Sequence, residues 1–575
     1  MAVFEFDSSY YLGKVREVDT RKVSLQVGKD EDLCKANVGR LAALKLAGAV
    51  EAWLIGIIDK VIKTTGYREK EEITDGEKTG ITGDAVINTV CLTLVGTVKW
   101  DAKNSKKTFS RSVAQAPGID AECFVLQHEQ LEIFMRILSG EGKKANSLEF
   151  GKYSMDESAT ALLDGDKLFQ RHAALLGSTG SGKSWTVAAI LEQAKNLPSA
   201  SLVVFDLHGE YKELSYARHL RIPGPEELDK TSDGLLYLPY WLLNAEEMQS
   251  MFIDRSEFSA HNQVMIFQDA VIEEKRAYLS QNKRDYLLES FTLDSPIPFS
   301  IEKVLEKIND LNKEMEDGAR GLKQGKFYGQ FSRLITRIRS KLTDKRYGFM
   351  FQAPPAEHRY ESMAGTAAKL MDYHFEKHHV KVIDFSEVPA EILPVIVGLA
   401  ARIIYQLQFW TDQNKRRPLA FICDEAHLYI PQKEGQNPVE RRAVEAFEKI
   451  AREGRKYGVA LMIISQRPSD VSPTVLSQCN NIIALRLTNV DDQNTVKKLM
   501  PENLESILDV LPIMDIGEAL VVGDAVLLPT RIKINPPLEK PLSATIDIWS
   551  EWQKAADIPN FSKSVENMRR QRRDK

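Results

Sequence analysis

The chain has 575 residues, too many for one hydrophobic core, and its 43% hydrophobic and 27% charged composition is ordinary for a soluble globular protein. A formal net charge of −5 excludes a uniformly basic nucleic-acid binder but not a local basic channel. Cys34, Cys91, Cys123, Cys423 and Cys479 lack C-x-x-C spacing, so neither a zinc site nor a disulfide framework is indicated; with no signal peptide and no bilayer-length apolar run, a cytoplasmic chain without a membrane span is expected.

Residues 1–150 hold short β-rich stretches between turns, among them Lys22 to Val27, Ala52 to Ile58 and Thr89 to Val98, which predict a small N-terminal β-barrel. Lys99 to Phe109 is expected to be a polar hairpin or loop. From Ala173 the pattern becomes buried strands alternating with helices, the mark of an α/β parallel sheet covered on both faces. This core is expected in two parts, 151–245 and 351–535, with strands near Val380, Leu419, Val459 and Ile482. Between them, 246–350 reads as a helical insertion, with Met248, Met251, Phe252, Val264, Phe267 and Val271 as the apolar stripe of one helix pair. Residues 536–575 form a C-terminal segment ending in a basic tail from Arg569 to Asp574.

The core opens on GSTGSGKS, Gly177 to Ser184, a complete phosphate-binding loop that follows an apolar strand and leads into a helix. Gly177, Ser178, Thr179, Gly180, Ser181 and Gly182 shape the turn, whose N–H groups close around the β- and γ-phosphates at the positive end of the helix. Lys183 adds charge at the transferring phosphate, Ser184 offers a hydroxyl to Mg²⁺, and Trp185 completes the ATP-binding segment.

Leu419 to Cys423 is a buried strand that ends in Asp424 and Glu425. Asp424 is placed to hold Mg²⁺, and Glu425 to polarise the water that attacks the γ-phosphate. The tetrapeptide DEAH also fits superfamily-2 helicases, which follow it with a second RecA-like domain. Here the strands after Glu425 continue the first sheet instead, so a neighbouring subunit must supply a cation, and a ring is expected. Candidates are Arg452 and Arg455, with Lys456, at helical spacing before the next strand. Gln466, at the tip of that strand, is expected to sense the γ-phosphate, and Asp206 to Tyr211 puts acidic groups at the carboxyl edge of the sheet.

A second basic stretch, Phe331 to Phe349, places Arg333, Arg337 and Lys341 on one helical stripe. It is either a solvated face or a phosphate-contacting surface for DNA.

HAALLGSTGSGKS, VFDLHGEY, LPYWLLNAEE, FICDEAHLYIP, IAREGRKYG and ISQRPSDVSPTVLSQCNNIIALRL together resemble the HerA branch of the HerA–FtsK family of hexameric DNA-translocating ATPases. The resemblance implies a RecA-like ATPase core with a helical insertion behind a small barrel, and a C-terminal brace that in relatives supports the next subunit. It further implies a homohexamer threading double-stranded DNA beside a partner nuclease or sirtuin-like effector, in DNA end processing or anti-phage defence. A regulatory ATPase scaffold that assembles and switches an effector, with DNA movement secondary, is the alternative.

Overall fold

The computed structural model describes residues 3–46, 52–74, 77–101, 106–113, 115–139, 147–154, 156–318, 321–371, 379–432, 438–500, 502–542, 548–554 and 561–570. Its first unit is built from β1 (Tyr11–Asp19), β2 (Lys22–Val27), β3 (Leu41–Lys45), β4 (Ala52–Thr74), β5 (Glu77–Asp101), β6 (Lys106–Ser110) and β7 (Glu122–Val125). Alternation explains the curl: Val23, Leu25 and Val27 of β2 point inward with Leu12, Val15, Leu44, Leu54 and Leu92. The order β2-β1-β7-β3-β4-β5 closes on itself because β2 also pairs with β5, giving an antiparallel barrel of six strands. β6 continues outside the ring as the partner of β5, and residues 102–105 between them lie outside the described residues.

The second unit is one sheet of eleven strands: β8 (Ser147–Tyr153), β9 (Asp156–Asp164), β10 (Ala173–Leu176), β11 (Leu202–Asp206), β12 (Ala217–Arg221), and then β15 to β20. A small hairpin apart from it holds β13 (Met315–Gly318) and β14 (Gly321–Gln324). β15 (Val380–Asp384), β16 (Leu419–Cys423), β17 (Val459–Ser465) and β18 (Asn481–Ala484) run parallel with β10, β11 and β12 in the order β12-β15-β11-β16-β17-β10-β18. Alternate residues of the same strands feed two cores. Ala174, Phe205, Phe421 and Ile463 face one side, and Leu175, Val204, Ile422 and Met462 face the other.

β19 (Glu518–Val522) and β20 (Thr530–Ile534) extend the sheet antiparallel, followed by the β8–β9 hairpin. The largely apolar run from Gly517 to Ile534 is therefore two strands and not one. Gly523 turns the chain at φ 137°, where a Cβ would sit 2.2 Å from the Asn480 carbonyl oxygen.

Between β12 and β15 run the helices Ala245–Phe252, Ala260–Gln281, Ile301–Lys313, Ser332–Thr343 and Ser362–Met371. Asn244 and Glu247 cap the first of these reciprocally. Met248, Met251, Phe252, Phe267 and Val271 are buried against the sheet's core, with Val264 packed beside them. Leu393–Trp410 is long and apolar enough to cross a bilayer by length and composition, but most of it is buried within the fold. Of the basic tail, residues 571–574 lie outside the described residues.

Candidate active site

Parallel strands put their carboxyl ends on one edge of the sheet, and the motif residues collect there. The turn from Gly177 to Gly182 leaves β10 and enters the helix Lys183–Ala194 with Gly180 at φ 73° and Gly182 at φ 104°. A Cβ on Gly177 would meet Ser181 Oγ at 2.6 Å and Leu485 Cβ at 2.7 Å, so the loop needs hydrogen there. The segment after β18 braces the loop: Ser178 N–H donates to the Arg486 carbonyl at 2.9 Å, and Thr488 N–H to Ser178 Oγ at 3.3 Å.

Lys183 is buried, and its Nζ donates back across the loop to the Ser178 carbonyl at 3.4 Å. Burial holds its ammonium below the usual lysine range, against the opposing pull of Glu425, Asp424 and Glu210. These three carboxylates surround the loop. Asp424, at the end of β16, accepts the Glu425 N–H at 3.0 Å. Burial first, then the charges of Glu425, Glu210 and Asp206, pushes its carboxyl well above the ordinary range.

Glu425 follows in a left-handed backbone, φ 44°. Its Oε2 is buried without a hydrogen-bond partner and lies 3.3 Å from His427 Nδ1. Burial raises its carboxyl, partly offset by Lys183 and His208. Burial also lowers the His427 imidazole, so that side chain is neutral near pH 7. Among these groups, a carboxylate with a raised pKa in a dry site is suited to taking a proton from water.

The carboxylates and the Ser184 hydroxyl test the site for Mg²⁺. Among the described residues no cluster of three or more His, Cys, Asp or Glu side chains is set to cage a metal. Mg²⁺ instead prefers one or two protein oxygens with substrate phosphates and water, and Ser184 with Asp424 fits that donor set. Two orphaned, buried carboxylate oxygens, Glu425 Oε2 and Glu210 Oε2, border it.

Gln466, just past β17, accepts a hydrogen bond from Thr179 Oγ1, so the strand tip and the loop are joined. Asp206 is not free to act: its carboxylate accepts the N–H groups of His208, Gly209, Glu210 and Tyr211 at 3.2, 2.8, 3.1 and 2.9 Å. Those bonds hold the turn that swings Glu210 to Lys183. The sequence points to this segment but singles out neither that role of Glu210 nor the position of Arg486, whose Nε is buried without a partner. An acidic residue closing a turn after a core strand is the available signal for Glu210.

Arg452 and Arg455 are not at this site. They lie where the helix Pro438–Glu453 and the turn Gly454–Tyr457 lead into β17. Ser465 pairs with Leu176 beside the loop, so the start of β17 is about 20 Å away at ~3.3 Å per residue. Arg452 is exposed, with Nη1 3.6 Å from Glu448 Oε2, and Arg455 is exposed too. The stripe on Ser332–Thr343 is partly engaged with other elements. Arg337 donates to the Phe252 carbonyl at 2.7 Å and pairs with Glu257, Lys341 Nζ lies 4.4 Å from the centre of the Tyr347 ring, and Arg333 is exposed.

The chain is similar in sequence to known helicases. Residues 148–404 match the family described as the HerA helicase central domain, and residues 395–540 match the HerA-like helicase C-terminal region. A DNA double-strand break repair helicase HerA of Pyrococcus furiosus is 27% identical over 424 residues, covering 68% of this chain and 69% of its own. The same-named protein of Saccharolobus solfataricus is 25% identical over 406 residues, covering 69% and 70%. A probable helicase of Methanocaldococcus jannaschii is 27% identical over 409 residues, covering 68% and 67%. Among solved structures, VirB4 of Thermoanaerobacter pseudethanolicus aligns with a TM-score of 0.46 at 17% identity, covering 68% of this chain and 97% of its own. The chain belongs to the HerA helicase family and is a P-loop ATPase of that family.

Proposed function

We propose that this HerA-family chain is an ATP-driven motor that moves along double-stranded DNA as a homohexameric ring and serves a partner effector. The effector is a nuclease or a sirtuin-like enzyme, and the setting is DNA end processing or anti-phage defence. The observation that carries the ring is the split of the site. Lys183 faces the buried Asp424 and the half-buried Glu425 and Glu210 at one edge of the sheet, while the exposed Arg452 and Arg455 stand at the other edge. In a ring, that second edge meets the neighbouring subunit's nucleotide, where an arginine in trans stabilises charge on the transferring phosphoryl group.

Within one site the loop amides and Lys183 hold the β- and γ-phosphates. Ser184 and Asp424 would hold Mg²⁺, which neutralises phosphate charge when bound. Glu425 takes a proton from water as the water oxygen bonds to the γ-phosphorus, and the bond to the β–γ bridging oxygen breaks, leaving ADP and phosphate. Gln466, tied to Thr179, registers that departure and passes it along β17 towards Arg455.

Two observations favour the scaffold reading as the second choice: the net charge of −5, and the internal engagement of Arg337 and Lys341. Subunit mixing tests the trans site. Arg452→Ala/Arg455→Ala and Glu425→Gln subunits are each expected to be nearly inactive alone and to regain activity in mixed rings. No recovery in rings shown to contain both subunits would refute it.

A further inference from the structure

The segment that follows β20 straps across the phosphate-loop helix of its own chain. Both carboxylate oxygens of Glu192 accept from it, Leu538 N–H at 2.9 Å and Glu539 N–H at 2.7 Å. The Glu539 carboxylate accepts Ser215 N–H at 2.6 Å and Ser215 Oγ–H at 2.7 Å, and Leu542 N–H donates to the Glu210 carbonyl at 2.7 Å. Gly517, just before β19, ties the start of the strap to the loop. Gly517 N–H donates to the Ser181 carbonyl at 3.2 Å, and Ile534 N–H returns to the Gly517 carbonyl at 2.8 Å. The strap thus touches the helix behind the phosphate loop and the turn that carries Glu210, and reaches the loop itself only through Gly517.

On this strap Lys540 holds its Nζ 5.4 Å from the centre of the Trp185 ring. Trp185 sits in the first turn of the helix, next to Ser184 and two residues past Lys183, and is 38% exposed. A large aromatic ring left open there contributes little to the core, whereas the neighbouring helix residues Thr186 to Leu191 are buried. A lysine above an aromatic face is a weak, partly solvated contact that a better partner can displace. A nucleotide offers a partner to each: a flat base for the ring and phosphate oxygens for the ammonium.

The geometry points to Trp185 and Lys540 as the clasp for the nucleoside end of the bound nucleotide, with the strap of residues 535–542 as its carrier. Trp185 takes the base on its ring face, and Lys540 leaves the ring for the phosphate nearest the ribose. This rests on the nucleotide-site reading above and adds a specificity to it. Stacking uses a face that every base has, so discrimination between ATP and GTP is weak.

Calorimetric binding of Mg–ADP and of inorganic tripolyphosphate to the full chain tests this. Trp185→Ala is expected to weaken ADP about 5- to 150-fold, the range of one base–aromatic stack, and to leave tripolyphosphate unchanged. Trp185→Phe is expected to bind ADP within a few-fold of the parent and to lose the nucleotide-induced change in tryptophan fluorescence. Lys540→Ala is expected to weaken ADP and GDP alike. ADP binding by Trp185→Ala at parental affinity, with Lys183→Ala abolishing it, would overturn the clasp and leave the site standing. A parental fluorescence response in Trp185→Phe would also overturn it. Failure of the parent to bind either probe would overturn both readings.

Discussion

Replacing Glu425 by glutamine keeps the shape of the side chain and removes its charge, and the surroundings set the size of the effect. General-base help of this kind is worth about 10²–10⁴ in rate, or ~3–5 kcal/mol of barrier at 1.36 kcal/mol per decade. Mg–ATP binding is expected to persist, because the loop amides, Lys183, Ser184 and Asp424 are untouched. Stability should move the other way. Glu425 is a half-buried carboxylate beside Asp424 and Glu210, and its buried Oε2 has no hydrogen-bond partner. Removing that charge relieves like-charge repulsion, so the melting temperature of the nucleotide-free protein is expected not to fall. Glu425→Gly adds a second check. The left-handed φ of 44° costs a side-chain-bearing residue about 1 kcal/mol, which glycine recovers, while turnover is lost as in the glutamine variant. Phosphate release, equilibrium binding of Mg–ATP and thermal melting report the three quantities. Turnover by Glu425→Gln within threefold of the parent would refute its role as the base, and lost ATP binding with a lowered melting temperature would make the residue structural.

Arg337→Ala is expected to destabilise the fold by about 1–3 kcal/mol in chemical denaturation, because it leaves the half-buried Glu257 with only Gln263 as a donor and removes the donor to the Phe252 carbonyl. The exposed Arg333→Ala should instead spare stability and flatten the salt dependence of DNA binding by up to about 0.9 log unit; an unchanged slope moves the DNA path elsewhere. Lys275 is held to about 8 by burial and donates to the Leu293 and Ser295 carbonyls at 2.7 Å each, a pair that a neutral amine can serve with its two hydrogens. Its folded value lies below the unfolded 10.5, so the unfolded state binds more protons between pH 8 and 10.5 and this group adds stability as pH rises through that window. Relative to Lys275→Met, the parent should gain at most about 3 kcal/mol from pH 7.5 to 10.5 in denaturant titrations, and parallel curves would contradict it.

The chemistry carried by contiguous residues is legible in the sequence, because a phosphate loop and a strand-end acidic pair are local devices. The parallel core follows from strands such as Leu202–Asp206 and Leu419–Cys423, which are apolar on both faces. What escapes a sequence reading depends on distant parts of the chain. Glu210 becomes a site residue only because Asp206 spends both oxygens on the turn below it. Arg486 comes beside Ser178 through pairing between β10 and β18, about 300 residues apart in sequence but adjacent in the sheet. Gly517 to Ile534 reads as one apolar run because its turn is set by contact between Gly523 and Asn480, which no local pattern encodes. The partners of the basic stripe escape for the same reason: helical spacing aligns Arg333, Arg337 and Lys341, but Glu257 and Tyr347, which engage two of them, belong to other elements.

The central claim is that ATP hydrolysis drives movement on DNA, and its most direct test is turnover by the purified chain titrated with linear double-stranded DNA. A several-fold rise in phosphate release is expected, one that ignores base sequence, falls steeply with salt and vanishes in Glu425→Gln. Turnover indifferent to DNA but raised by a copurifying effector would contradict the motor and establish the scaffold.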